Sequence, residues 1–172
     1  LNSYVAEMME ISDIIRSNLR SDTHEKDNLS DILNVTAKIR KDIVTVIVYT
    51  QKGDVIISNP TGAYNNSFEV ITQDWFIELL NNPDGFIFLS PHVQRFFEDS
   101  HPWVVSLCRG VTCYENEEPV VLVTVVDMNF STIEQMCNNV SLGKRGYIYI
   151  IDEYGNMVYH PQQQMIYAGL KT

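Results

Sequence analysis

Seven consecutive residues, Ile43 to Tyr49, read Ile-Val-Thr-Val-Ile-Val-Tyr. Side chains branched at Cβ crowd a helix and suit a pleated strand, so this run is predicted as a strand. A turn follows at Gln51–Asp54, and Val55–Ile57 returns. The chain therefore contains a β-hairpin, and its fold must seat a sheet. Trp103–Thr112 and Val120–Asp127 are two further strands, joined by the acidic turn Glu115–Pro119. Phe86–Leu89 is a short fifth strand. Ser90–His101 is a polar, aromatic connector, and a polar loop runs from Asn59 to about Ser67.

Helical spacing covers much of the remainder. Apolar residues recur every three or four positions from Leu1 to Arg20, through Leu1, Val5, Met8, Ile11 or Ile15, and Leu19. A second helix is expected over Leu29–Lys41. The pair reads either as a helical hairpin packed on the domain or as a long signalling helix that also dimerises. A short helix is predicted over Thr72–Leu80, capped by Thr72, with Asp74 in its first turn. Asn82-Pro-Asp-Gly85 supplies the turn that ends it. Another helix is predicted over Ser131–Val140, where Ser131 and Glu134 stand at capping-box spacing.

A later stretch, Gly146 to Pro161, reads as strand, turn and strand. It echoes the first hairpin at an offset of 102, which sets Gly53 on Gly155, Val48 on Ile150 and Val55 on Met157. A fixed offset suggests a repeated architectural unit. The first unit uses about a hundred residues, and only Gly146–Thr172 would belong to the second. The expectation is one complete lobe plus the opening hairpin of another.

Composition narrows the function classes. The 172 residues carry 12 Lys+Arg against 22 Asp+Glu, a formal net charge of −10. Binding to nucleic acid needs clustered cations to displace counterions, so that class is excluded, and so is a polybasic membrane-surface module. No apolar run approaches the roughly 18 residues of a membrane helix. The chain starts at Leu1 and reads as a piece of a longer protein. Its three cysteines make no disulfide framework, and on one strand Cys108 and Cys113 would face opposite ways.

Motifs for chemistry are sparse. The sequence has neither a Gly-rich phosphate loop nor a GxSxG nucleophile elbow. His92, Glu98, Asp99 and His101 fall close together, as do Ser90, His92 and Asp99. Both groups are weaker readings than solvated loop residues. No cofactor and no metal are expected.

Several segments together resemble a known family. Gly143-Lys-Arg-Gly-Tyr-Ile-Tyr-Ile-Ile-Asp-Glu-Tyr-Gly-Asn-Met-Val-Tyr-His-Pro161 resembles the opening of the membrane-proximal lobe of double Cache (PAS-like) sensor domains. Val120–Glu134 resembles the closing strand and helix of the distal lobe. Trp75-Phe76 and Ser90-Pro-His-Val93 resemble its binding-loop region. The overall style is similar to the extracellular region of YesM-type sensor histidine kinases of Gram-positive bacteria.

The resemblance implies an α+β fold: a long N-terminal helix, a curved antiparallel sheet with flanking helices, and the start of a second lobe. The segments would be a helical signalling and dimer segment (1–42), a membrane-distal lobe (43–142) and an incomplete membrane-proximal lobe (143–172). It implies a non-enzymatic ligand sensor outside the cell, anchored in the membrane, paired as a homodimer and driving a histidine kinase. A chemoreceptor or cyclase is the alternative output, with a secreted enzyme or adhesion module as the reading from another class.

The resemblance also implies a ligand set. Many Cache domains that bind amino acids use an aromatic, an Arg five residues on, a Trp two further, an aromatic next to it, and later a Tyr and an Asp. Those positions here hold Phe68, Gln73, Trp75, Phe76, His92 and Asp127. Gln73 in place of Arg removes the two-pronged clamp for a carboxylate. An α-amino-acid ligand is then expected only if Arg109 substitutes, and a neutral polar ligand, a sugar or a peptide, fits better. The residues alone equally allow blander roles. Trp75 and Phe76 suit core anchors, Asp127 a cap, Gln73 a surface position and His92 a solvated loop.

Overall fold

The computed structural model describes residues 6, 9–10, 13–14, 35, 40–59, 63–65, 67–98, 102–115, 118–140, 142–143, 146–151, 155 and 157–162. Five antiparallel strands form the main sheet: β1 (Ile43–Thr50), β2 (Val55–Asn59), β3 (Phe86–Val93), β4 (Trp103–Glu115) and β5 (Glu118–Asn129). Their spatial order is β2-β1-β5-β4-β3. A separate two-stranded sheet pairs β6 (Ile150–Ile151) with β7 (Met157–Tyr159). Two helices complete the described elements, α1 (Asp74–Asn81) and α2 (Phe130–Asn138).

The sheet is covered on both faces, which is why β1 and β5 read as continuous apolar runs. Residues 46–49 and 122–128 are all buried. Successive side chains alternate between two cores. Val46, Val48, Leu107, Val126 and Met128 meet Ile133 of α2 and Val158 and Tyr159 of β7. Ile47, Tyr49, Cys108, Val123 and Val125 meet Phe76 and Leu79 of α1 and Phe96 and Phe97 of the loop beyond β3. Cys108 and Cys113 fall in opposite cores, as their spacing predicts. Register shifts within β1 and β3 bend the sheet. At Gly110 the backbone of Leu79 and Pro83 comes so near that any Cβ would lie under 3 Å from it, which lets the end of α1 rest on β4.

Several boundaries differ from the sequence expectation. Thr72 does not cap α1. It closes a single 3-10 turn, Val70–Thr72, where its hydroxyl donates to the Glu69 carbonyl at 2.8 Å, and Gln73 holds the cap position. Ser131 does not cap α2 either. Asn129 does, accepting from the Ser131 backbone N–H at 2.9 Å, so the helix starts earlier than predicted. Strand β3 continues through Ser90-Pro-His-Val93. Proline lacks the amide a central strand needs, but β3 is an edge strand with a bulge between Leu89 and His92. The loop before α1 is also more ordered than its polarity implies. Tyr64 bridges Phe97, and Asn65 N–H donates to Phe96 O at 2.8 Å.

At the start of β1, Arg40 clasps Asp42 through two bonds of 2.9 and 2.6 Å. Asp42 in turn accepts the Asn129 N–H through its carbonyl at 2.8 Å. Ala6, Met9, Glu10, Asp13, Ile14 and Val35 are helical. The rest of the two predicted N-terminal helices lies outside the described residues. No helix among the described residues is long and apolar enough to cross a membrane.

Candidate ligand cleft

One face of the sheet carries an open cleft of about 1100 Å³. Its floor is the outer strand β3, through Leu89, Ser90, His92 and Val93. One wall is the 3-10 turn and the start of α1, through Glu69, Thr72, Gln73 and Trp75. The other is the loop after β3 with the start of β4, through Arg95, Phe96 and Trp103. Phe68 meets Phe96 edge-on at 5.0 Å between ring centres. Trp103 is 42% exposed, an apolar plane open to solvent at the rim.

Four of the seven residues implied by the resemblance line this cleft: Phe68, Gln73, Trp75 and His92. The Gln73 amide is turned back on its own turn, reaching Glu69 O and Thr72 Oγ1, each at 3.3 Å. The other three residues lie elsewhere. Neighbouring helix positions differ by about 100°, so Trp75 faces the cleft while Phe76 points into the core, edge-on to Tyr49 at 6.0 Å. Arg109 shares the sheet face of Leu107, opposite the cleft. It reaches Met9 O at 3.4 Å and Asp13 Oδ1 at 3.5 Å. It therefore does not stand in for the guanidinium missing at position 73.

Asp127 is fully buried one layer beneath the cleft, on the same sheet face. Its carboxylate accepts from Ser106 Oγ and Gln94 Nε2, and Gln94 also donates to Thr45 Oγ1 at 2.6 Å. Ser106 Oγ lies 3.4 Å from His92 Nε2, which links this cluster to the cleft floor. Burial pushes the Asp127 carboxyl above its ordinary range, against the pull of the Ser106 and Gln94 hydrogen bonds and of the His92 charge. Burial likewise raises the Cys108 thiol, with Asp127 adding to it, and it raises the Tyr49 phenol, which is bonded to Tyr64. Asp127 does not cap a helix. Thr45, Gln94, Arg95, Phe96, Ser106 and Trp103 were not singled out from sequence. The signal for Thr45 and Ser106 was a hydroxyl at an inward position of an otherwise apolar strand.

A curved antiparallel sheet with helices packed on it and a cleft against one face is the arrangement of a PAS-like fold. A family profile for the Cache domain matches residues 1–172, and the chain belongs to that family. No curated protein sequence matches it. The fold is similar to the ligand-binding domain of the Pseudomonas aeruginosa PAO1 amino acid chemoreceptor PctB in complex with L-Arg. The TM-score is 0.70 and the identity 14%, over 95% of this chain and 60% of that one. It is also similar to the ligand-binding domain of Mlp24 with asparagine (TM-score 0.66, 18% identity, 95% and 65% covered). A third similar structure is the ligand-binding domain of the Campylobacter jejuni chemoreceptor Tlp3 in complex with L-norvaline (TM-score 0.66, 11% identity, 96% and 63% covered). The chain spans less than two thirds of the length of these three structures.

Proposed function

We propose that this chain is the ligand-binding part of an extracellular sensor anchored in the membrane, and that it does no chemistry itself. The observation that carries the reading is the cleft. It sets the faces of Phe68, Trp75 and Trp103 beside the polar groups of Gln73, Ser90 and His92, the mixture of apolar walls and few polar anchors that binds small polar molecules. Its volume of about 1100 Å³ lies just above the roughly 300–1,000 Å³ range of small-molecule pockets. A short peptide or a sugar fits that breadth better than a single amino acid does. Binding would draw the start of α1, which carries Trp75, toward the sheet, and the sheet would pass the shift to the N-terminal segment held at Arg109. Displacements of roughly 1–2 Å suffice at such packed interfaces.

The output is a histidine kinase in the reading from sequence. Likeness to chemoreceptor domains supports a methyl-accepting chemoreceptor as the second reading. Pairing of two copies through the N-terminal helices suits either.

The test is calorimetric titration with di- and tripeptides, mono- and disaccharides and the common amino acids. At least one class is expected to bind, and a ligand at a hundred times its Kd raises stability by about 2.7 kcal/mol. Trp75→Ala is expected to weaken that binding at least tenfold with the fold intact. A Trp75→Ala protein that binds as well as the wild type would put the site elsewhere.

A further inference from the structure

On the sheet face opposite the ligand cleft, a cavity of about 200 Å³ lies between α2, the end of β5 and the run into β6. Thr132, Met136, Cys137 and Val140 recur at helical spacing, so one face of α2 and the turn after it lines this cavity. Met128 lines it from β5, and Ile148 and Ile150 from the far side. The chain has six methionines and three cysteines among 172 residues, yet three of the eight residues around this cavity carry sulfur. Oxygen is scarce there. Thr132 brings the one hydroxyl, and no lining residue is charged.

We propose that Met128, Met136 and Cys137 form a binding site for a soft monovalent cation, copper(I) above all. Thioethers and thiolates are the donors that select copper(I). The charge count agrees with a single positive charge. Cys137 gives its proton to water as its sulfur takes up the ion, and a thiolate with a monovalent cation leaves the apolar cavity neutral. A divalent ion on one thiolate would leave a net charge there, which burial penalises. Zinc takes four nitrogen, sulfur or carboxylate ligands, and calcium and magnesium take oxygens. The cavity offers neither set.

The surroundings favour this assignment. Met128 is buried and Cys137 half-buried, while Met136 is 40% exposed, which gives an ion a way in from solvent. Burial raises the Cys137 thiol, so without an ion it stays protonated and uncharged. The other cysteines lie apart: Cys113 pairs with Val120, eight strand positions from Met128, and Cys108 belongs to the opposite core. Among the described residues no group of three His, Cys, Asp or Glu could hold a metal ion. The expectation of no metal rested on the spacing of such residues, and two thioethers eight positions apart leave no mark of that kind. The competing role for the three sulfur side chains is packing alone.

Methyl-¹³C methionine spectra of the whole chain separate the two, with signals assigned by M128L and M136L. Silver(I) serves as the first probe, because it is soft and monovalent and does not oxidise in air. One equivalent is expected to move the Met128 and Met136 methyl signals and to leave the other four methionines in place. Methyl signals of Met128 and Met136 that stay where they were overturn the proposal.

Affinity for copper(I) itself is then measured under nitrogen against bicinchoninate as the competing chelator. C137S is expected to weaken binding most. The double variant M128L/M136L keeps the thiol and nearly the same core volume. It is expected to weaken binding by roughly tenfold or more, because it removes two soft donors. A double variant that binds as tightly as the wild type overturns the proposal, since the ion then sits on the thiol alone. A C137S protein with wild-type affinity overturns it too. Should C137S fold poorly, the double leucine variant decides. None of the three residues lines the cleft, so either outcome leaves the reading of the ligand site untouched.

Discussion

Ser106 on β4 and Asp127 on β5 stand opposite each other in register, and the hydroxyl of one donates to the carboxylate of the other. Both are fully buried among valines. Each isolated would weaken the sheet, because a buried polar group without a partner costs roughly 1–3 kcal/mol. Together with Gln94 and Thr45 they form a satisfied cluster reaching across β1, β5 and β4 to the loop behind the cleft.

This cluster gives stability a definite pH dependence. Asp127 ionises near 3.8 when the chain is unfolded, and burial raises that value in the fold. The folded protein holds the proton more tightly, so the contribution is complete below pH 3.8 and is lost as pH rises through the native value. Asp127→Asn cannot ionise. Urea unfolding from pH 3.5 to 7 is expected to show a shallower decline attributable to this position in the variant than in the wild type. Identical slopes would mean that Asp127 is not held above its ordinary range.

Asp42 carries the opposite sign. The paired guanidinium of Arg40 holds its carboxyl below 3.8 despite partial burial. Its contribution is therefore present above pH 3.8 and disappears as pH falls through the native value. Asp42→Asn is expected to cost stability at pH 6 and to cost progressively less toward pH 2. A penalty that stays constant over that range would show that the ion pair contributes nothing.

Phe76 and Trp75 are neighbours with separate jobs. Phe76 is wholly buried against Tyr49, while Trp75 lines the cleft. Phe76→Ala leaves a void in the core and is expected to destabilise by about 3–5 kcal/mol. Trp75→Ala is expected to cost much less in thermal unfolding. Equal losses would place both rings in the core.

The sheet was readable because its strands are runs of β-branched residues. The hairpin echo was readable too. Val48 pairs with Ile57 and Tyr49 with Val55; 102 positions on, Ile150 pairs with Tyr159 and Ile151 with Met157, with a register shift at the same step. Gly53 and Gly155 share a left-handed φ of 87° and 84°. Caps were harder to read, because Gln73 takes the cap position of α1 with no side-chain bond to announce it, and the cap of α2 is Asn129, two residues before Ser131. The site was half legible. Phe68, Gln73, Trp75 and His92 sit close to one another in the fold. Arg109 was misplaced because only its strand phase, set by the register of β4 on β5, tells which side of the sheet it takes. Arg95 and Trp103 were missed because nothing local marks a loop residue that the sheet later brings to a cleft.

Arg109 ties the sheet to the N-terminal segment. Its side chain is 16% exposed, against 65% for Asp13, so the charged pair lies at the solvent edge while the arginine stem is covered. An ion pair of that kind contributes about 0–1 kcal/mol. Asp13→Asn is therefore expected to cost less than about 1 kcal/mol. Arg109→Met keeps the apolar stem and loses only the charge, whereas Arg109→Ala loses packing too and is expected to cost more. None of the three touches the cleft, which lies across the sheet. Calorimetry is expected to give Arg109→Met the wild-type Kd for any ligand of the domain. On the proposed reading, in which the N-terminal segment passes the signal on, the same variant is expected to weaken the whole protein's response to that ligand, because the contact it removes joins the sheet to that segment. A tenfold loss of affinity in Arg109→Met would show instead that Arg109 reaches the ligand, and it would overturn the assignment of cleft and N-terminal contact to opposite faces.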